Sequence, residues 1–127
     1  LHPSAVPTDL ASVTHRDEAG EKPELAGVSP EVVEAIWHSV ERLYRTGVHP
    51  GIQLSVRHRG EQILHRAIGH ASGNGPHDAV DALKVPMTTE TPICYFSASK
   101  AVTALLIHIL AEQGPGVVLL PGVCGGW

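Results

Sequence analysis

From Ser29 to Gly47, apolar residues return at helical intervals: Val33, Ile36, Val40, Leu43 and Tyr44, separated by Glu, His, Ser and Arg. That spacing draws one apolar stripe along a helix. Ser29 suits the capping position, Pro30 the first helical position, and Gly47 the stop. The period then changes from helical to alternating. Ile52, Leu54 and Val56 are interleaved with Gln53, Ser55 and Arg57, the pattern of a half-buried strand, and Arg59-Gly60 can turn the chain into a second strand that closes at Gly69. The stretch 71–78 is rich in Gly, Asn, Ser and Pro and reads as an exposed loop. Pro92-Ile93-Cys94-Tyr95-Phe96 reads as a buried approach to a second helix, whose apolar face is Ala101, Val102, Ala104, Leu105, Ile109 and Leu110. The pattern therefore predicts helix, hairpin, loop, helix. Residues 1–28 show no sustained period and are rich in Pro, Ala, Asp and Glu, so an extended or disordered arm with little chemistry is expected there.

Composition narrows the function classes. With 127 residues and 43% hydrophobic content the chain has the size of one domain with a modest core. A net charge of -4 leaves no electrostatic footprint for a polyanion, and 4% aromatic residues give no platform on which bases could stack. No nucleic-acid partner is expected, and no apolar stretch reaches membrane-spanning length. The nine histidines are scattered without a His-Glu-x-x-His or paired helical arrangement, so no metal is expected. The run Gly69 to Gly75 lacks the following Gly-Lys-Ser/Thr of a phosphate cradle, and no cofactor is expected. Cys94 and Cys124 form no CxxC pair; an interior free thiol at Cys94 is the preferred reading, with a disulfide between them left open. Leu1 to Pro7 lacks the charged and apolar regions of a signal peptide, which favours a cytoplasmic location.

The candidate chemistry lies in Ser97-Ala98-Ser99-Lys100. On a helix, residues three apart share a face, so an amine at Lys100 can reach the hydroxyl of Ser97 from one turn away. Such a pairing activates a hydroxyl that is otherwise a weak nucleophile. With eight serines and three lysines in the chain, roughly 0.2 such spacings arise by accident, so the bare quartet is weak on its own. The competing reading is that Ser97 caps the helix and Lys100 is solvated. A serine at a helix N-terminus also lies beside free backbone N–H groups that can stabilise an oxyanion.

Segments in a fixed order carry a resemblance. His49-Pro50-Gly51 leading into Ile52–Val56, the turn at Arg57–Glu61 into a strand closed by Gly69, and Met87-Thr88-Thr89-Glu90-Thr91-Pro92 ahead of the Ser-x-x-Lys are similar to the N-terminal part of the serine beta-lactamase and penicillin-recognising superfamily. The likeness spans about His49 to Gly114 and is nearest to the esterase branch. It implies an α/β (α+β) fold of the beta-lactamase/transpeptidase type, with helices on an antiparallel sheet. It also implies catalytic roles for Ser97 as nucleophile and Lys100 as its proton partner. The implied substrate is a small-molecule ester, attacked to form a Ser97 acyl-enzyme. Alternatives are a beta-lactam or D-alanyl-D-alanine peptide for the same site, and a non-enzymatic, self-associating fragment.

Departures from the family pattern shape the remaining expectations. The family places a Tyr-x-Asn or Ser-x-Asn, and then a Lys-Thr-Gly-like triplet, well after the serine. Neither Tyr44 nor Tyr95 stands in a Tyr-x-Asn. After Glu112 no charge occurs, and residues 115–127 consist of Gly, Pro, aliphatics, Cys124 and Trp127, where the family alternates acidic and apolar residues. The expectation is an arm at 1–28, the N-terminal part of a beta-lactamase-like domain at 29–114, and an atypical apolar tail at 115–127. The tail reads as out-of-frame or otherwise aberrant sequence joined to a genuine family segment, with a natural edge strand and tail as the alternative. A chain so truncated is expected to lack turnover.

Overall fold

In the computed structural model residues 2–113 are described, and the chain divides into two compact units, Leu1–Thr91 and Pro92–Trp127. The first unit is built on a helix and a hairpin. Helix α1 spans Pro30–Tyr44, with Ser29 at its N-cap and Pro30 at its first position; the Ser29 side chain itself makes no cap bond. Gly47, at φ 70°, lets the chain leave the helix in the left-handed region that a side chain disfavours. The buried stripe is Val33, Trp37 and Tyr44. Leu43, expected on that stripe, is exposed, and Trp37 takes the central place, one helical turn beyond Val33.

The sheet is antiparallel. Strands β1 (Thr14–Arg16), β2 (Gly51–His58) and β3 (Glu61–Ser72) lie in the order β1-β3-β2, and a short β4 (Val85–Pro86) pairs with the far end of β3. The β2–β3 hairpin turns through Arg59 and Gly60, both at positive φ (52° and 86°), the geometry whose twist matches paired strands. Register sets Ile52 opposite Ile68 and Val56 opposite Leu64, with a slip between Val56 and Arg57. Period-two alternation then sends Ile52, Leu54, Val56, Leu64 and Ile68 to one face, where they pack with Val33, Trp37, Tyr44 and Leu10. Each fully buried large apolar side chain in this layer contributes roughly 1.5–3 kcal/mol. At Gly69, φ 95°, a Cβ would stand 2.7 Å from Cε2 of Tyr44, so the missing side chain is what admits the tyrosine ring. The helix and antiparallel sheet give the α+β class that the sequence implied.

Residues 2–28 are ordered into the unit where an extended or disordered arm was expected. A 3-10 helix at Leu10–Val13 buries Leu10, β1 pairs with Thr14 opposite Ile68, and a second 3-10 helix covers Pro23–Ala26. Further back, Ser4 N–H donates to Gly47 O (2.9 Å), and Ala5 is bonded through both its N–H and its C=O to the Asn74 amide. The physical reason is that these elements are three or four residues long, too short to show a period, and are held by long-range partners. Asn74 corrects the loop reading in the same way: it lies in the turn-rich 71–78 stretch yet is buried.

The second unit contains a 3-10 helix at Phe96–Ala98 and helix α2 (Ser99–Gln113). The approach expected to be buried is exposed at Ile93, Tyr95 and Phe96, and no described residue of α2 is buried. Apolar residues occupy Val102, Leu105, Leu106, Ile107, Ile109 and Leu110, so they run around the helix rather than along one stripe. Residues 114–127, where the atypical tail was expected, lie outside the described residues. Among the described residues no helix is long and apolar enough to cross a membrane.

Candidate active site

The segment that carries Ser97 follows a closed turn at the end of the first unit. Thr91 N–H donates to Thr88 O (3.2 Å) and Thr88 N–H to Thr91 Oγ1 (2.9 Å), so the two threonines close the turn on each other. Gln53, from β2, donates its Nε2 to both Thr88 O (2.6 Å) and Thr91 O (2.8 Å). Pro92 comes next, and it biases Thr91 toward extended backbone.

Within the second unit the chain reaches Ser97 through a constrained backbone. Phe96 has φ 46°, a left-handed conformation that costs a non-glycine residue about 1–2 kcal/mol. Strain of this kind concentrates next to functional side chains. Ala98 N–H donates to Tyr95 O (3.0 Å), which closes the 3-10 turn around Ser97, and the Ser99 hydroxyl bonds to Phe96 O. Lys100 is the second residue of α2, and Thr103 Oγ1 donates to Ser99 O (3.1 Å) one turn further on. Ser97 thus lies within the short helix just ahead of α2, and both it and Lys100 are exposed. No hydrogen bond joins their side chains among the described residues; the shared feature is a three-residue spacing across one turn. Cys94, expected in the interior, is an exposed free thiol, and Cys124 lies outside the described residues.

A second polar cluster sits in the first unit. Arg66, 2% exposed, donates Nε and a terminal nitrogen to Glu21 (2.8 and 2.9 Å) and both terminal nitrogens to Glu34 (3.0 and 2.8 Å), while its guanidinium lies 5.5 Å from the centre of the Trp37 ring. Burial alone would disfavour this charge, but the carboxylates of Glu21 and Glu34 outweigh it and hold Arg66 firmly protonated. Burial likewise pushes Glu21 up, and the bonds from Arg66 and from His65 N–H bring it below the usual carboxylate range; Glu34 is lowered chiefly by Arg66. A cleft of ≈ 310 Å³ opens beside these groups, lined by Arg16, Glu18, Glu21, Glu24 and Glu34 among others. Every bond that Arg66 makes there is to another part of the same unit, so the cluster is a structural joint rather than a reaction centre.

Two further groups test the family pattern. Ser72-Gly73-Asn74 is a Ser-x-Asn triplet, but it precedes Ser97, and the Asn74 amide is spent on Ala5 and on His70 Nδ1 (3.2 Å). Because Asn74 Oδ1 accepts from Ala5 N–H, its nitrogen faces His70, so Nδ1 of His70 is the acceptor and the imidazole is neutral. Burial, with Lys84 nearby, lowers the His70 pKa in agreement. Tyr44 is fully buried in the core, with its hydroxyl unpartnered among the described residues and its pKa raised by burial. Asn74 and Tyr44 are thus both held inside the first unit. No group of three or more His, Cys, Asp or Glu among the described residues could hold a metal ion.

The sequence model of the family described as Beta-lactamase matches residues 39–116, more than half of the chain. The chain belongs to the Beta-lactamase family. The match brings with it a serine hydrolase-like superfamily, and it takes in β2, β3, β4, the Thr88–Thr91 turn and α2, with Ser97 and Lys100 inside its bounds. No curated protein and no solved structure matches the chain. Two features that bear on this family segment escaped the sequence reading. Gln53 looked like an ordinary solvent-side position of an alternating strand, and the partners of Arg66 lie 45 and 32 residues away from it. No local pattern signals either one.

Proposed function

We propose that Ser97 is the nucleophile of an acyl-transfer site, with Lys100 as its proton partner and carboxylic esters as its substrate class. The observation that carries the reading is the Ser97-x-x-Lys100 spacing inside the family-matched span, at the turn that opens α2. Ser97 Oγ attacks the ester carbonyl carbon while its proton passes to a neutral Lys100 amine. The tetrahedral intermediate then expels the alkoxide, which takes that proton from Lys100, and an acyl-Ser97 ester remains for water to cleave. The esterase branch is favoured by the His49-Pro50-Gly51 lead-in and the Phe96-Ser97-Ala98-Ser99-Lys100 context. Residues 29–114 then supply the first helix, the hairpin and the nucleophile helix of a beta-lactamase-like domain.

Downstream of Ser97 these 127 residues contain no Tyr-x-Asn and no Lys-Thr-Gly-like triplet. The expected behaviour of the chain as given is therefore acylation with little turnover. Incubation with a fluorophosphonate probe, followed by peptide mass mapping, tests this. An adduct on Ser97 is expected, lost in Ser97→Ala and formed roughly 10²–10⁴-fold more slowly in Lys100→Ala. An adduct of equal yield on Ser97→Ala sinks the assignment. Burst acylation by a butyrate ester exceeding that by a penicillin supports the ester reading, and the reverse order replaces it with the lactam one.

A further inference from the structure

We infer that Gln53 is a positioning residue for the nucleophile segment, acting through the Thr88–Thr91 turn. The inference rests on the reading of Ser97 given above and adds to it a residue 44 positions away in sequence.

The geometry is specific to an amide. A single Nε2 donates to two backbone carbonyls, Thr88 O at 2.6 Å and Thr91 O at 2.8 Å, and so uses both of its protons on the two ends of one four-residue turn. Bonds between the threonines close the turn from within: Thr88 N–H to Thr91 Oγ1 at 2.9 Å, and a further 3.2 Å contact between the two hydroxyls. Those bonds fix the shape of the turn but not its place on the sheet. Gln53 ties both ends of the turn to β2, alongside the bond from Met87 N–H to Gly69 O (2.9 Å) and the 3.4 Å contacts of Thr89 with His15 Nδ1. It stands on β2 opposite Ala67 of β3, which is fully buried, so its backbone belongs to the best-packed part of the hairpin. Thr91 is the last residue of the first unit, Pro92 restricts the backbone of Thr91 itself, and Ser97 lies five residues beyond Pro92. Holding Thr91 O therefore fixes the last residue of the first unit, six positions ahead of Ser97 in the chain. An alternating strand needs no amide at this position: serine, threonine or lysine would serve a merely solvated one. Isosteric glutamate cannot replace it at neutral pH, because a carboxylate has no proton to donate and would face two carbonyl oxygens.

The test compares Gln53→Met and Gln53→Glu with the wild-type chain in the fluorophosphonate reaction and in amide hydrogen exchange. Labelling of Ser97 is expected to slow by about 10²-fold in Gln53→Met, the size of effect that small displacements of a reacting group produce. Exchange in a peptide covering residues 94–100 is expected to rise, while a peptide covering 61–69 stays as protected as in the wild type. Gln53→Glu should match Gln53→Met at neutral pH and regain labelling relative to wild type as the solution is acidified and the carboxyl gains a proton to donate. A contact that does not bear on Ser97 would leave labelling at the wild-type rate in both variants at every pH. Wild-type labelling rates in both variants overturn the inference. If the wild-type chain itself is not labelled, the Ser97 reading fails, and exchange alone then decides Gln53: unchanged protection of 94–100 overturns it and increased protection loss confined to 88–100 upholds it. Should Gln53→Met not fold, as shown by exchange at 61–69, Gln53→Asn takes its place, since its shorter amide keeps the polarity but reaches neither carbonyl.

Discussion

The two units of the chain differ in how they sort apolar from polar residues. In the first, Leu10, helix α1 and the β2–β3 hairpin close one core, and a buried arginine of β3 joins α1 and the segment after β1. In the second, Lys100 stands on α2 and Ser97 on the short helix just ahead of it, and α2 carries apolar residues on every side with none of its described residues buried. The first unit shows the sorting of apolar from polar residues that lets a segment fold on its own account; α2 shows no such sorting. A helix of that composition is suited to a position surrounded by other protein.

Arg66→Ala should break the first unit most severely. Removing the guanidinium takes two of its bonds from the buried Glu21, which keeps only Arg16 and His65 N–H, and removes the link to Glu34 of α1, at a cost of about 3 kcal/mol. Urea unfolding measures it, and a loss under about 1 kcal/mol would mean that the joint is ornamental. Truncation of the core sharpens the contrast between units. Leu64→Ala is expected to lower stability by about 2–5 kcal/mol, whereas Leu105→Ala on α2 should change the same transition by no more than about 0.5 kcal/mol. Equal costs would show that α2 shares the core of the hairpin, and the division drawn above would fall. The smallest effect is a pH dependence from His70. Its neutral form is favoured in the folded chain, so the unfolded chain binds the proton more readily, and stability falls as pH drops through the ordinary histidine range. The slope attributable to this one group is at most about 1.4 kcal/mol per pH unit. His70→Asn, which keeps an acceptor toward Asn74 but does not titrate, should flatten that slope in thermal unfolding measured between pH 5 and 8.

How much of this was legible in the sequence depended on whether a residue's role is local. Helix α1 announced its start at Ser29-Pro30 and its end at Gly47, and the alternation from Ile52 to Val56 with the Arg59-Gly60 turn gave the hairpin its boundaries. Gly69 was legible as a closing glycine, and the ring of Tyr44 beside it supplies the reason. What stayed hidden was long-range. Glu21 reads as one more acid in a polar, proline-containing stretch until Arg66 is brought to it across the sheet edge, and Asn74 reads as a loop residue until Ala5 is. The candidate site divides in the same way. The spacing of Ser97 and Lys100 is a local fact and was open to view, while the double bond from Gln53 to the turn ahead of them joins residues 35 and 38 positions apart. Exposure of the Pro92–Phe96 approach was misread because an apolar run is evidence of a wish to be buried, not of a partner that buries it.

The joint at Arg66 has a practical consequence for anyone who would cut the gene by homology. Residue 66 falls inside the family match at 39–116, but Glu21, Glu34 and the ring of Trp37 all fall before it begins. An excised piece beginning at residue 39 would carry a cation into its interior and leave its counter-ions behind. The border drawn by shared ancestry and the border drawn by charge neutrality differ here by at least eighteen residues, counted from Glu21 to position 39, and a soluble fragment has to respect the second.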